Sequence, residues 1–140
     1  MFLALWSVIP GTSSSITVLV NPDISNEDIK WAIECVKLDS FIKTLPDGLE
    51  TRIYPDGRQL SSSNAQKILL ARAIVNDPLV LFLENPFDKM DDDESKEIID
   101  FILSKENNWT VIVTSKNDYW KEKCNRIITL DKGKLISDTK

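Results

Sequence analysis

The sequence predicts an α/β fold in which a parallel sheet is flanked by helices and preceded by a small helical subdomain. A helical pattern follows a capping box formed by Ser25 and Asp28. Two apolar runs, at 79–83 and 110–114, are separated by a second helical pattern, and a turn at Gly133 closes a hairpin pattern. Because strand, helix and strand alternate, the sequence favours a parallel sheet.

The first helix is predicted over 26–37. Its apolar positions are Ile29, Ala32, Cys35 and Val36. A second short helical turn follows and ends at the loop residues Pro46, Asp47 and Gly48. These elements form the predicted helical subdomain.

The remaining elements are predicted from apolar periodicity and turn residues. A helix over 62–76 ends at Asp77 and Pro78, and the five apolar residues 79–83 predict a strand that is buried on both faces of the sheet. The other predicted elements are a helix at 92–104, a second buried strand at 110–114, and hairpin strands at 126–130 and 134–137 joined by a turn at 131–133.

Length and composition indicate one compact unit without a broad charged surface. The chain has 140 residues, 42% of them hydrophobic, and its 17 basic and 22 acidic residues give a net charge of -5. This balance disfavours nucleic acid or anionic lipid as a partner. The opening residues 1–6 lack a basic start and meet Pro10 and Gly11 too soon for a membrane span, so they predict a buried strand.

Two cysteines and four tryptophans have structural interpretations. Cys35 and Cys124 form no CxxC pair and the chain has no histidine, so we expect reduced, packed thiols rather than a zinc site. The tryptophans are Trp6, Trp31, Trp109 and Trp120, and we expect them to pack in the interior rather than to stack on bases.

One long segment resembles a known family. The stretch LSSSNAQKILLARAIVNDPLVLFLENPFDKMD, residues 60–91, is similar without a gap to the signature-to-D-loop stretch of ABC ATPases. Upstream, NPDISNEDIKWAIECVKLDSFIKTLPDGLETRI resembles the helical subdomain of ABC exporters. Downstream, TVIVTSKN and CNRIITLDKGKLIS resemble their switch strand and final hairpin, so the resemblance extends over 21–137.

The resemblance implies the C-terminal part of an exporter-type nucleotide-binding domain, with a partial P-loop NTPase-like sheet. It divides the chain, 1–140, into a helical subdomain at about 22–60 and a signature-to-hairpin part at about 61–140. The implied site residues are Ser61, Ser62, Ser63 and Asn64 in the signature motif, Glu84 at the Walker B aspartate, Asn85 at the catalytic glutamate, Asp91 at the D-loop aspartate, Ser115 at the switch histidine and Gly11 at the Q-loop glutamine.

The resemblance also implies ligands and partners. Members bind ATP and Mg²⁺, pair with a second nucleotide-binding domain, and attach to transmembrane domains at the cytoplasmic face of the membrane. The acidic run that begins at Asp91 then marks the start of a helix rather than a metal cluster.

The residues that ATP hydrolysis requires are altered or absent. No GxxxxGK[ST] motif occurs, and the nearest candidate, 11–15, has neither a lysine nor a second glycine. Asn85 cannot accept a proton as a carboxylate can, and Ser115 lacks an imidazole. If either signature glycine needs a left-handed backbone, a serine there costs about 1–2 kcal/mol. We therefore expect no hydrolysis by the chain alone.

Two other functions are compatible with the sequence. A catalytically silent interaction module would bind its partner without nucleotide, whereas a transporter domain would need ATP on a partner that has a complete P-loop. A chromosome-maintenance or DNA-repair ATPase lobe is disfavoured, because coiled-coil insertions are absent and the net charge is acidic.

Overall fold

The computed structural model describes residues 24–53 and 59–140, together with the backbone of Ser14–Ser15. Gly11, Trp6 and the predicted strand at 1–6 lie outside the described residues. The elements in chain order are β1 (Ser14–Ser15), α1 (Asn26–Cys35), α2 (Asp39–Lys43), a 3₁₀ turn (Gly48–Glu50), β2 (Arg52–Ile53), α3 (Ser62–Ile74), β3 (Val80–Glu84), α4 (Asp92–Ile102), β4 (Thr110–Thr114), α5 (Asp118–Lys123), β5 (Ile127–Asp131) and β6 (Lys134–Thr139).

The helical segment begins at the predicted capping box. The Asp28 amide donates to Ser25 Oγ over 3.1 Å, and the Asp28 carboxylate accepts from the Ser25 amide over 3.3 Å. The helix ends where Lys37 adopts a left-handed backbone with φ 59°, and the Leu38 amide then donates to the Ile33 carbonyl. The predicted α1 is thereby confirmed, and it packs against α3.

The central sheet is a parallel pair, as the sequence predicts. β3 and β4 align so that Glu84 lies opposite Thr114, and α4 connects the two strands. The predictions that β3 is buried on both faces and that β4 is a second buried strand are both wrong. Leu81 is 4% exposed, whereas Phe82 on the opposite face is 70% exposed and the flanking Val80 and Ile112 are about half exposed. Within the described residues, the core therefore covers one face of the sheet.

The core is a single cluster to which α1, α3, β3, α4 and α5 all contribute. Its fully buried large side chains are Val36, Leu38, Ile74, Ile98, Ile99, Ile102 and Trp120. Since α1 and α3 bury residues in the same cluster as β3 and α4, the helical segment and the sheet share one hydrophobic interior.

The C-terminal hairpin forms as predicted, but a helix precedes it that was not predicted. α5 is six residues long and begins at the cap residue Asn117. β5 and β6 pair antiparallel around Lys132 and Gly133, both of which have positive φ, as a tight two-residue hairpin turn requires. The hairpin leaves four apolar side chains more than half exposed: Ile128, Leu130, Leu135 and Ile136.

None of the helices in the described ranges could cross a membrane. The longest, α3, has 13 residues, fewer than the roughly 20 that a span requires.

Candidate functional site

The carboxyl ends of β3 and β4 bring Glu84, Asn85 and Ser115, to which the resemblance assigns metal-binding and catalytic positions, to one edge of the sheet. Glu84 is the last residue of β3, and its partner Thr114 is the last residue of β4. The Asn85 amide donates to the Thr114 carbonyl over 2.7 Å, and Ser115 follows Thr114 directly. Asn85 and Ser115 therefore stand at adjacent strand ends, and Glu84 and Asn85 are both exposed.

Asn85 has a backbone role that its sequence position did not reveal. Its φ is 44°, in the left-handed region that asparagine tolerates better than most residues with a side chain. Phe87 is also left-handed, with φ 69°, and it is buried where its ring stacks 6.2 Å from that of Trp120. The loop after β3 thus turns sharply at Asn85 and is anchored by Phe87.

The hydroxyl of Ser115 is engaged in a local turn. Ser115 Oγ accepts a hydrogen bond from the Asn117 amide over 3.1 Å. Asn117 Oδ1 in turn accepts from the Tyr119 amide over 2.9 Å and caps α5. Ser115 consequently helps to form the entry to α5.

The signature-like residues form the start of α3. Ser61 is the N-cap, and its Oγ accepts from the Asn64 amide over 3.1 Å. Ser62 and Ser63 are the first helical residues, and neither has a positive φ. The left-handed strain considered for serine at these two positions therefore does not arise, and their added side chains remain the difference from glycine.

The acidic run forms the start of α4, as expected. Asp91 is the N-cap, and its Oδ1 accepts from the Asp93 amide over 3.0 Å. Asp92, Asp93 and Glu94 occupy the first turn, where negative charge favours the positive end of the helix dipole. Across residues 24–53 and 59–140, no group of three or more Asp, Glu, His or Cys side chains could hold a metal ion.

The start of α3 and the edge of the sheet are the two places to which the resemblance assigns the nucleotide and Mg²⁺. At the start of α3 the first amides have no partner within the helix, so they can donate to an anion near Ser61 and Ser62. Glu84 supplies a carboxylate at the sheet edge, but the neighbouring Asn85 is neutral and no metal-binding group includes Glu84.

The expectation that the tryptophans pack in the interior holds for Trp120 but not for Trp31, which is 41% exposed, and Trp6 lies outside the described residues. Cys35 and Cys124 are free and half-buried. Burial raises the pKa of both thiols, and the nearby Glu34 carboxylate raises the pKa of Cys35 further. Trp120 is fully buried, while the rings of Trp31 and Trp109 both pack edge-on against Phe101.

One charged residue near the site was missed from the sequence. Lys67 is 4% exposed, and its Nζ contacts Glu94 Oε1 in the first turn of α4. The burial of Lys67 could have been predicted from helical spacing, because Lys67 shares a helix face with the buried residues Leu70, Ala71 and Ile74. A lysine at an apolar position of a helix indicates a buried partner.

Comparisons with known proteins agree with the resemblance seen in the sequence. No family model matches the chain. The chain is 33% identical over 115 residues to the Bacillus subtilis glutathione/L-cysteine transport system ATP-binding/permease protein CydC. The aligned residues make up 82% of the chain. The chain is also 35% identical over 131 residues to the ABC multidrug transporter MDR2 of Trichophyton rubrum, and this alignment covers 90% of the chain.

A solved structure shows the same fold. A bacterial Atm1-family ABC exporter with ATP bound superimposes with a TM-score of 0.81 over 91% of the chain, at 21% identity. The chain spans 23% of that exporter, 20% of CydC and 9% of MDR2. It therefore corresponds to about a quarter or less of each of these proteins.

Proposed function

We propose that this chain, which is homologous to ABC transporters over more than four-fifths of its length, acts as the degenerate C-terminal part of an exporter-type nucleotide-binding domain. Residues at about 22–60 are its helical subdomain. Residues at about 61–140 carry the signature helix α3, the Walker B strand β3, the D-loop, the switch strand β4 and the final hairpin. In this role β3 and β4 are two strands of a P-loop NTPase-like sheet at the cytoplasmic face of the membrane.

The observation that carries the proposal is the chemistry of the sheet edge. Asn85 presents a neutral amide where a general base would be needed. The Ser115 hydroxyl already accepts a hydrogen bond from the Asn117 backbone amide. Losing a general base typically costs about 10²–10⁴ in rate. Because the sequence also contains no GxxxxGK[ST] motif, we infer that the chain does not hydrolyse ATP by itself.

The start of α3 retains what contact with a partner's nucleotide requires. Ser61 supplies a hydroxyl at the N-cap, and the helix start supplies amide donors. The P-loop and the Mg²⁺ ligands come from a second nucleotide-binding domain, to which this chain offers its signature turn and Asp91. Transmembrane domains then couple this association to transport.

Calorimetry with Mg²⁺-ATP tests the proposal directly. The full chain is titrated alone, and is then mixed with purified ABC ATPase domains that carry a complete P-loop. We expect no heat from the chain alone, and association with a partner domain only when ATP is present. The double variant Ser61→Ala and Asp91→Ala should weaken that association. Both side chains lie at helix starts that would face the nucleotide.

Other results would contradict the proposal. Tight binding and turnover of ATP by the isolated chain would show that it contains a complete nucleotide site of its own. Failure to associate with any P-loop-bearing domain in the presence of ATP would contradict the proposal that this chain contacts a nucleotide held by a second domain.

A second function, a catalytically silent interaction module, is favoured by a different observation. Phe82 is 70% exposed on the face of β3 that the described residues leave uncovered, and the hairpin leaves further apolar side chains exposed. Exposed apolar patches of this kind commonly mark protein interfaces. Partner binding that persists without ATP and Mg²⁺, and that is abolished by Phe82→Ser, would establish this function in place of the first.

A further inference from the structure

A partly buried ion pair joins the helix that begins at the signature turn to the helix that begins at the D-loop. The side chain of Lys67 in α3 is 5% exposed, and that of Glu94 in α4 is 33% exposed. Lys67 Nζ contacts Glu94 Oε1 and also donates to the Lys37 carbonyl over 3.4 Å. A buried ammonium is costly unless it is paired, so this cation is held by partners on two other segments.

The partners of Lys67 both lie at helix ends. The Lys37 carbonyl lies just past the C-terminus of α1, where the helix dipole is negative. Glu94 lies in the first turn of α4, where the dipole is positive and stabilises the carboxylate. Lys67 therefore links the end of α1 and the beginning of α4 through one cation. Lys37 extends the link outward, because its Nζ lies 2.5 Å from Glu97 Oε2 on α4.

The ion pair is close to both loops that the proposed function uses. Lys67 lies six residues beyond the cap Ser61 and Glu94 three residues beyond the cap Asp91. At a rise of 1.5 Å per residue, these separations are about 9 Å and about 5 Å along the helix axes. An ion pair at this position constrains the relative orientation of the two helix starts.

We propose that Lys67 is a positioning residue that fixes the signature turn at Ser61 and the D-loop at Asp91 relative to each other. The two loops then meet a partner's nucleotide as one unit. This inference rests on the proposed function for its consequence, but the coupling of α3 to α4 is a property of the chain alone. An apolar side chain at position 67 would fill the same space without specifying this orientation.

Residual dipolar couplings of the full chain test the positioning itself. In the unsubstituted chain, the backbone couplings of α3 and α4 should fit a single alignment frame. In Lys67→Met and in Glu94→Gln we expect this common frame to be lost, while far-UV circular dichroism is unchanged. The control is Lys121→Met, which removes an exposed pair with Asp118 in α5 and should keep the single frame. If Lys67→Met fails to fold, Glu94→Gln decides the question, because Glu94 is partly exposed.

Association with a P-loop-bearing partner in the presence of ATP tests the consequence. We expect Lys67→Met and Glu94→Gln each to weaken it about tenfold, and the double variant to be no weaker than either single variant, because the two residues act together. A single alignment frame in both variants would overturn the inference. So would a lost frame with unchanged association, since Lys67 would then be only structural. Absence of association by the unsubstituted chain would overturn the proposed function instead, and the dipolar couplings would still decide whether Lys67 orients the helices.

Discussion

Leu81 and Phe82 are neighbours on β3 whose side chains point to opposite faces, and their exposures differ widely. Leu81 is 4% exposed within the core, whereas Phe82 is 70% exposed. Truncating each residue to alanine therefore tests whether the sheet is covered on one face. Removing a buried leucine side chain typically costs about 2–5 kcal/mol. Full burial of a large apolar side chain contributes about 1.5–3 kcal/mol, so the buried third of Phe82 contributes roughly 0.5–1 kcal/mol.

We therefore expect Leu81→Ala to destabilise the chain more than Phe82→Ala, although phenylalanine is the larger residue. For a chain of this length, the leucine variant should melt about 5–15 °C lower. Urea unfolding followed by far-UV circular dichroism gives the free energies, and Ile112→Ala, also on the exposed face, serves as a second control for Phe82→Ala. The reasoning would be refuted if Phe82→Ala cost as much as Leu81→Ala at low protein concentration, because the face would then be covered in the monomer.

Three further predictions follow from the backbone and the charges. Ser62→Gly and Ser63→Gly should each lower the free energy of unfolding by up to about 1 kcal/mol, because both positions are helical; a rise measured in urea would contradict this. Asn85→Glu should destabilise the chain by about 1 kcal/mol at its left-handed backbone and should produce no ATP turnover in a phosphate-release assay. The hydrogen bond from Lys123 lowers the pKa of Asp100. The stabilisation from Asp100 is thus present above the unfolded pKa of about 3.9 and is lost as pH falls through the folded pKa. In Asp100→Asn, the free energy of unfolding measured in urea should fall less as the pH is lowered. An unchanged fall would exclude Asp100 as its source.

The sequence predicted the elements whose ends carry clear chemical signals. Apolar periodicity and the stop at Asp77 and Pro78 bounded α3 to within two residues, and the five-residue run at Thr110–Thr114 matched β4. In contrast, α5 has six residues, which is too short for apolar periodicity to show. Its cap, Asn117, was the signal that could have identified it.

The burial of β3 and the geometry of Asn85 could not be read from the sequence. An apolar run shows that a strand prefers burial, but the layers that cover its two faces come from distant parts of the chain. The φ of Asn85 depends on how the chain leaves β3 and on the anchoring of Phe87 in the core. Such tertiary constraints leave no local pattern. The positions assigned to the nucleotide site stay predictions until binding is measured.

The stacking of Phe87 on Trp120 makes the loop after β3 observable by fluorescence. Trp120 is 2% exposed, and among the described residues its indole N–H has no hydrogen-bond partner, so its emission should be blue-shifted. Phe87 lies two residues from Asn85, and any displacement of this loop would alter the surroundings of the Trp120 ring. With Trp6, Trp31 and Trp109 replaced by phenylalanine, Trp120 would be the remaining tryptophan and would report optically on events at the sheet edge without an added label.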